Sequence, residues 1–160
     1  MEKLLNKKTV LKVKNYLNKF DKDLSIISLD ETARSSKEAG NSLNVKTGAI
    51  VKSLIFKSID SDYYLCLISG DKTVSINKLS KLTKKEILKP NANEIKEITG
   101  FSIGGVPPVA HKIKMRTYID KNLNRFENIY AAAGHPHCVF KINFENLCKI
   151  TNGYIYDIVN

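Results

Sequence analysis

Hydrophobic positions change period several times along the chain, and each change marks an element. In KKTVLKVKNYLNKF (7–20), Val10, Val13, Leu17 and Phe20 recur at helical spacing with lysines on the other face, which predicts an amphipathic helix. LSIISL (24–29) is a short strand. DETARSSKEAGNSLN (30–44) opens with capping residues and continues with helix formers, so a second helix is expected. AIVKSLIF (49–56) and YYLCLIS (63–69) read as strands joined by the turn-like KSIDSD (57–62). SGDKTV (69–74) reads as a turn leading into a third strand, and INKLSKL (76–82) as a short helix. In NANEIKEITG (91–100), Asn91 and Glu94 form a capping-box pattern and Gly100 marks the end. FSIGGVPPVAH (101–111) is a loop by composition. RTYID (116–120), NIYAAAG (128–134) and CVFKI (138–142) follow as strands; NFENLCKIT (143–151) is a helix started by Asn143, and YIYDIV (154–159) closes the chain. No repeat and no linker interrupts this order. The 160 residues read as one α+β domain, long enough to bury a real core.

The run GAIVKSLIF (48–56) contains one misfit. Alternation places Ile50, Lys52, Leu54 and Phe56 on one strand face, and Val51, Ser53 and Ile55 on the other. An ammonium on an apolar face has two readings. It snorkels to water or guards an edge strand against aggregation. Alternatively it stands at the mouth of a pocket, held for a ligand's carbonyl or phosphate, where desolvation lowers its pKa and a phosphate raises it.

Composition narrows the setting. Against 16 Asp+Glu stand 26 Lys+Arg, a net charge of +10. That favours a polyanionic partner such as nucleic acid, although a lysine-rich composition alone gives the same sign. No apolar run approaches the ~20 residues of a membrane span, and MEKLLNKKTV lacks the apolar stretch of a secretory signal. Cys66, Cys138 and Cys148 are an odd number in apolar surroundings, as expected of reduced residues in a cytoplasmic protein without a membrane partner.

Two further stretches bear on chemistry. In GGVPP, Gly104 and Gly105 allow close ligand approach, while Pro107 and Pro108 stiffen the exit beyond Val106. Such a loop suits backbone N–H groups facing a ligand; a plain tight turn has the same composition. In AAAGHPHC (131–138), three small residues run into Gly134 and His135, leaving space as a pocket wall would. A metal site from His135, His137 and Cys138 is the competing reading. It requires the strand to continue through Pro136, and no second ligand pair follows at finger-like spacing. His111 is the remaining histidine and follows the Gly-Pro loop. There is no GxSxG nucleophile motif.

Together, TARSSKEAGNSLNVKTGAIVKSLIF, GDKTVSINKLSKL, EITGFSIGGVPPVAH, YIDKNLNRFENIYAAAGHPHCVFKI and LCKITNGYIYDI resemble, in order and spacing, the YbaK/ProX-type prolyl-tRNA editing domain family. The resemblance covers about residues 25–159 of the single domain 1–160. It implies a curved, mixed, mostly antiparallel, barrel-like sheet flanked by helices. It implies hydrolysis of the ester in mischarged aminoacyl-tRNA, with no metal or organic cofactor. With no synthetase sequence attached, it implies a free-standing, trans-acting member. Lys52 matches the family's essential strand lysine, Gly104 and Pro108 the ends of its Gly-x-x-x-Pro loop, with Gly105 and Val106 between them. Gly134 and His135 match its pocket-lining turn, and Thr32 falls where the family has a pocket-side residue. The first helix carries nothing over. The implied substrate is the acceptor end of tRNA-Pro bearing a small wrong amino acid such as Ala, Cys, Ser or Thr. Prolyl-tRNA synthetase or an elongation factor is the candidate partner for the tRNA body. The competing reading is a non-catalytic tRNA- or synthetase-binding module on the same fold.

Overall fold

Eight strands form one mixed sheet in the computed structural model, which describes residues 2–30 and 33–160. The strands are β1 (Ile26–Ser28), β2 (Ile50–Ser58), β3 (Tyr63–Ser69), β4 (Ile87–Leu88), β5 (Arg116–Asp120), β6 (Ile129–His135), β7 (Cys138–Ile142) and β8 (Tyr154–Tyr156). The helices are α1 (Glu2–Leu5), α2 (Lys8–Phe20), α3 (Ser36–Leu43), α4 (Ile76–Thr83), α5 (Ala92–Thr99) and α6 (Phe144–Thr151). The strand order is β1-β7-β6-β2-β3-β5-β8, with β4 paired to β2 beside this path. The β1–β7, β6–β7, β2–β3 and β2–β4 pairs are antiparallel. The β2–β6, β3–β5 and β5–β8 pairs are parallel and carry fewer residues.

Strand alternation divides the apolar side chains between two cores. Val51 and Ile55 of β2 join Leu65, Leu67, Ile119 and Phe140 on one face, where α2 contributes Val10, Val13 and Leu17. Phe56, Tyr64, Cys66, Ile68 and Tyr118 occupy the other face under Leu79 of α4. A smaller cluster of Leu29, Ala39, Ile50 and Val139 lies at α3. The first helix meets its expected bounds because its three inward residues are fully buried while its lysines stay exposed.

The capping box is present as read: Asn91 Oδ1 accepts from the Glu94 N–H at 2.9 Å, and Gly100 ends α5 with φ of 84°. The second helix starts later than expected. Ser35, not Asp30, is its cap, accepting from the Glu38 N–H at 3.1 Å. SGDKTV leads into no third strand; Val74 makes a single bridge to Val159, and Ser75 already caps α4. Thr32 lies outside the described residues.

Candidate active site

The site originates in a break in sheet pairing. The Ile50 carbonyl accepts from the Gly70 N–H, and the Ser58 N–H donates to Asp62, both toward β3. Even-numbered residues of β2 therefore aim their backbone groups at β3, and odd-numbered residues aim theirs at the opposite edge. On that edge β6 pairs only at Ile50 and Val51, and β4 only at Lys57 and Ser58. Among the described residues, no strand pairs with Ser53 or Ile55 there. Two local causes open the edge. The β4 register would bring Pro90 opposite Ile55, and proline has no N–H to offer. On the other side β6 shifts register between Ala132 and His135, where Gly134 takes φ of 92°.

A cavity of about 450 Å³ fills this opening. Its wall includes Lys52, Ser53 and Leu54 from β2, Tyr130 and Ala132 from β6, and Val139 from β7. Arg34, Ser36 and Ala39 close one side, and Lys89, Ile103, Gly104, Val106 and Pro136 close the other. The surface is mostly apolar. Among the described residues its charged groups are Arg34, Lys52 and Lys89, with no carboxylate and no histidine in the lining. Ser53 Oγ is buried without a hydrogen-bond partner. An electropositive, mostly apolar cleft of this size suits the end of an anionic ligand.

Lys52 lines this cavity and is half-buried. Its Nζ donates to the Lys72 carbonyl in the turn after β3. Burial lowers its pKa from the usual lysine range, and the Asp71 carboxylate opposes that shift. The turn is itself fixed. Gly70 approaches so closely that a Cβ there would lie 2.5 Å from the Thr47 carbonyl. Asp71 accepts from Arg125 at 2.9 and 3.3 Å, and the Arg125 Nε donates to the Asn122 carbonyl. Arg125 holds the Asp71 carboxyl below its ordinary range.

The Gly-Pro loop and the histidine turn brace one another. Gly104 lines the cavity with φ of 88° and sits against Pro136. The Gly105 N–H is used within the loop, donating to Ser102, and its carbonyl accepts from the Gly134 N–H at 3.1 Å. A Cβ on Gly105 would lie 3.0 Å from the His135 backbone, and one on Gly134 would lie 2.6 Å from the Thr9 carbonyl. His111 Nε2 donates to the Pro107 carbonyl at 2.6 Å, tying the loop exit down. Thus Lys52, Gly104 and Val106 meet in the cavity; Gly105, Gly134 and His135 pack on one another beside it, and Pro108 is buried without lining it. Of the three alanines only Ala132 faces the cavity; Ala131 and Ala133 pack into the core shared with α2.

β6 ends at His135 and β7 begins at Cys138, so Pro136 and His137 form the hairpin turn. His135 Nδ1 accepts from the His137 N–H at 3.1 Å, and Cys138 is fully buried. No group of three His, Cys, Asp or Glu side chains among the described residues is placed to hold a metal ion. Sequence reasoning missed Arg34, Ser53, Lys89, Tyr130 and Pro136. For Tyr130 the alternation with Ala132 was the available signal; Ser53 falls on the strand face opposite Lys52, and Arg34 and Lys89 arrive from loops, so these carried none.

Comparison with known proteins supplies the remaining observation. Residues 30–150 match the aminoacyl-tRNA editing domain family. The chain belongs to that family. A crystal structure described as "a putative trans-editing enzyme for prolyl tRNA synthetase" superposes with a TM-score of 0.91 at 30% identity, covering 96% of this chain and 98% of the other. The "Putative Cys-tRNA(Pro)/Cys-tRNA(Cys) deacylase EbsC" of Enterococcus faecalis is 23% identical over 78% of this chain and 76% of its own. A proline--tRNA ligase of Sulfurihydrogenibium is 32% identical over 76% of this chain, which spans 21% of that ligase. In this editing-domain fold the pocket and its lysine occupy the opening between β2, β4 and β6.

Proposed function

We propose that the protein is a trans-acting aminoacyl-tRNA deacylase that hydrolyses the ester of tRNA-Pro charged with a small wrong amino acid. The observation that carries this reading is the half-buried Lys52 ammonium, fixed by the Lys72 carbonyl in a cavity of an editing-domain fold that no carboxylate lines among the described residues. Lys52 holds the terminal phosphate or polarises the ester carbonyl. The Gly104 N–H, at the cavity wall, is the backbone donor available to the developing oxyanion, since that of Gly105 is committed to Ser102. Water adds to the ester carbon, the bond to the ribose oxygen breaks, and that oxygen leaves with a proton.

Among the described residues, no Asp, Glu or His side chain lines the cavity. The attacking water is therefore activated by the substrate's own 2′-hydroxyl or α-amine. An aminoacyl ester is already activated, so binding and orientation supply most of the remaining rate. Editing meets a limit of recognition, because one methylene in an apolar pocket gives only about 1–3 kcal/mol of discrimination. Prolyl-tRNA synthetase or an elongation factor is the proposed partner for the tRNA body.

The test is a panel of tRNA-Pro charged with Ala, Cys, Ser, Thr or Pro, incubated with the purified protein in the presence of a chelator. Release of a small amino acid with prolyl-tRNA spared is expected. Failure to deacylate any of them, with folded protein in excess, overturns the enzyme reading.

A further inference from the structure

The first helix, which the family resemblance leaves without a role, has an unusual surface. From Lys8 to Phe20 it carries four lysines and no acidic residue, and Lys7 precedes it. Val10, Val13 and Leu17 take the inward face, so every lysine is exposed. None of these lysines forms an ion pair with the described residues, whereas Lys57, Lys78, Lys85, Arg125 and Lys149 do.

Helical spacing puts Lys7, Lys14 and Asn18 in one row, which Lys22 continues beyond the helix end. Lys14, Asn18 and Lys22 line a polar groove of about 580 Å³ between α2 and β1, with Asn6 on its other wall. In sequence, Asp21 and Asp23 flank Lys22 at the end far from the cavity. At the near end the helix backbone at Thr9 and Val10 packs on Gly134, next to His135, whose pKa burial lowers and the Lys7 charge lowers further. His135 adjoins Pro136, which lines the active-site cavity. A cationic row therefore runs from the rim of the cavity, across the β6–β7 turn, into a groove rich in amide donors.

We propose that Lys7 and the groove of Lys14, Lys22, Asn6 and Asn18 beyond it receive the phosphate backbone of the RNA strand whose aminoacylated end enters the cavity. This rests on the deacylase reading. Charge complementarity selects the occupant: unpaired ammonium groups spaced about 10 Å apart over two helix turns match a polyanion better than any compact ligand. Asparagine amides add neutral donors to phosphate oxygens.

The experiment measures tRNA affinity against salt concentration for the intact protein and two triple variants. Lys7→Ala/Lys14→Ala/Lys22→Ala removes the row while favouring helix at its helical positions. Lys81→Ala/Lys84→Asn/Lys121→Ala removes three exposed lysines elsewhere; α4, which carries Lys81, packs on the opposite sheet face. Thermal melts confirm that both are folded. For the α2 variant, the slope of log affinity against log salt is expected to fall by about 2–3, and low-salt affinity by roughly tenfold or more. The control variant keeps most of both. Equal losses in the two variants overturn the proposal. So does loss of binding to anionic phospholipid vesicles with tRNA binding unchanged. The deacylation panel on the unaltered protein fails or succeeds separately, so loss of the hydrolase reading is distinguishable from loss of the groove.

Discussion

At the scale of single residues, the proposed chemistry depends on how one ammonium is held. Burial lowers the Lys52 pKa and Asp71 opposes this. The charged form is therefore lost at lower pH than for an exposed lysine, and activity that needs the ammonium falls on the alkaline side. Asp71→Asn removes the opposing charge and is expected to move that alkaline limb to lower pH. A merely structural role for Asp71 leaves the limb in place while the rate drops, so the pH profile separates the two. Asp120 behaves in the opposite sense. It is fully buried, its Oδ2 has no partner, and desolvation raises its pKa. Ionising it in the folded state costs stability, so this cost appears above the ordinary Asp pKa and is complete past the raised one. Asp120→Asn is expected to raise the melting temperature by a few degrees, on the order of 1 kcal/mol, at neutral pH. The gain should shrink as pH falls into the acid range; a gain that persists there contradicts the ionisation argument.

At the scale of elements, glycines decide whether the site assembles. Gly134 combines positive φ with contact on the Thr9 carbonyl, so Gly134→Ala strains the backbone and pushes α2 off β6. A loss of about 2–4 kcal/mol is expected in denaturant unfolding, against about 1 kcal/mol for Asn91→Ala at the α5 cap. Equal losses would mean that the hairpin turn relaxes freely. The same elements show what the sequence held. Caps and period are local, so α2, α5 and α6 and most strands were legible, and so was Lys52 as a misfit on its face. The opening in the sheet was not. It depends on Pro90 and on the register shift beside Gly134, two features about forty residues apart that only pairing with β2 brings together. The α3 start was misplaced because Asp30 and Ser35 are both good caps, and the choice belongs to the contacts of Leu29 and Ala39. The third strand failed because Val74 finds a single partner, Val159, near the far end of the chain.

At the scale of the whole molecule, the net charge of +10 acts as a field rather than a contact list. Arg34, Lys52 and Lys89 line one cleft without a balancing carboxylate among the described residues, a field that favours an anionic ligand. Affinity for tRNA is expected to fall steeply with salt; an affinity independent of salt between about 50 and 200 mM would contradict electrostatic recruitment. The central claim joins that field to one pocket lysine. Its most direct test is single-turnover deacylation of alanyl-tRNA-Pro, or of whichever charged tRNA-Pro the panel shows to be cleaved, by the unaltered protein and by Lys52→Ala, beside their thermal melts. The melt should be nearly unchanged, because Lys52 is only half-buried, while the rate falls by about 10²–10³, as for loss of one positioned donor. A folded Lys52→Ala protein that deacylates at the unaltered rate would contradict the assignment of the chemistry to this cavity.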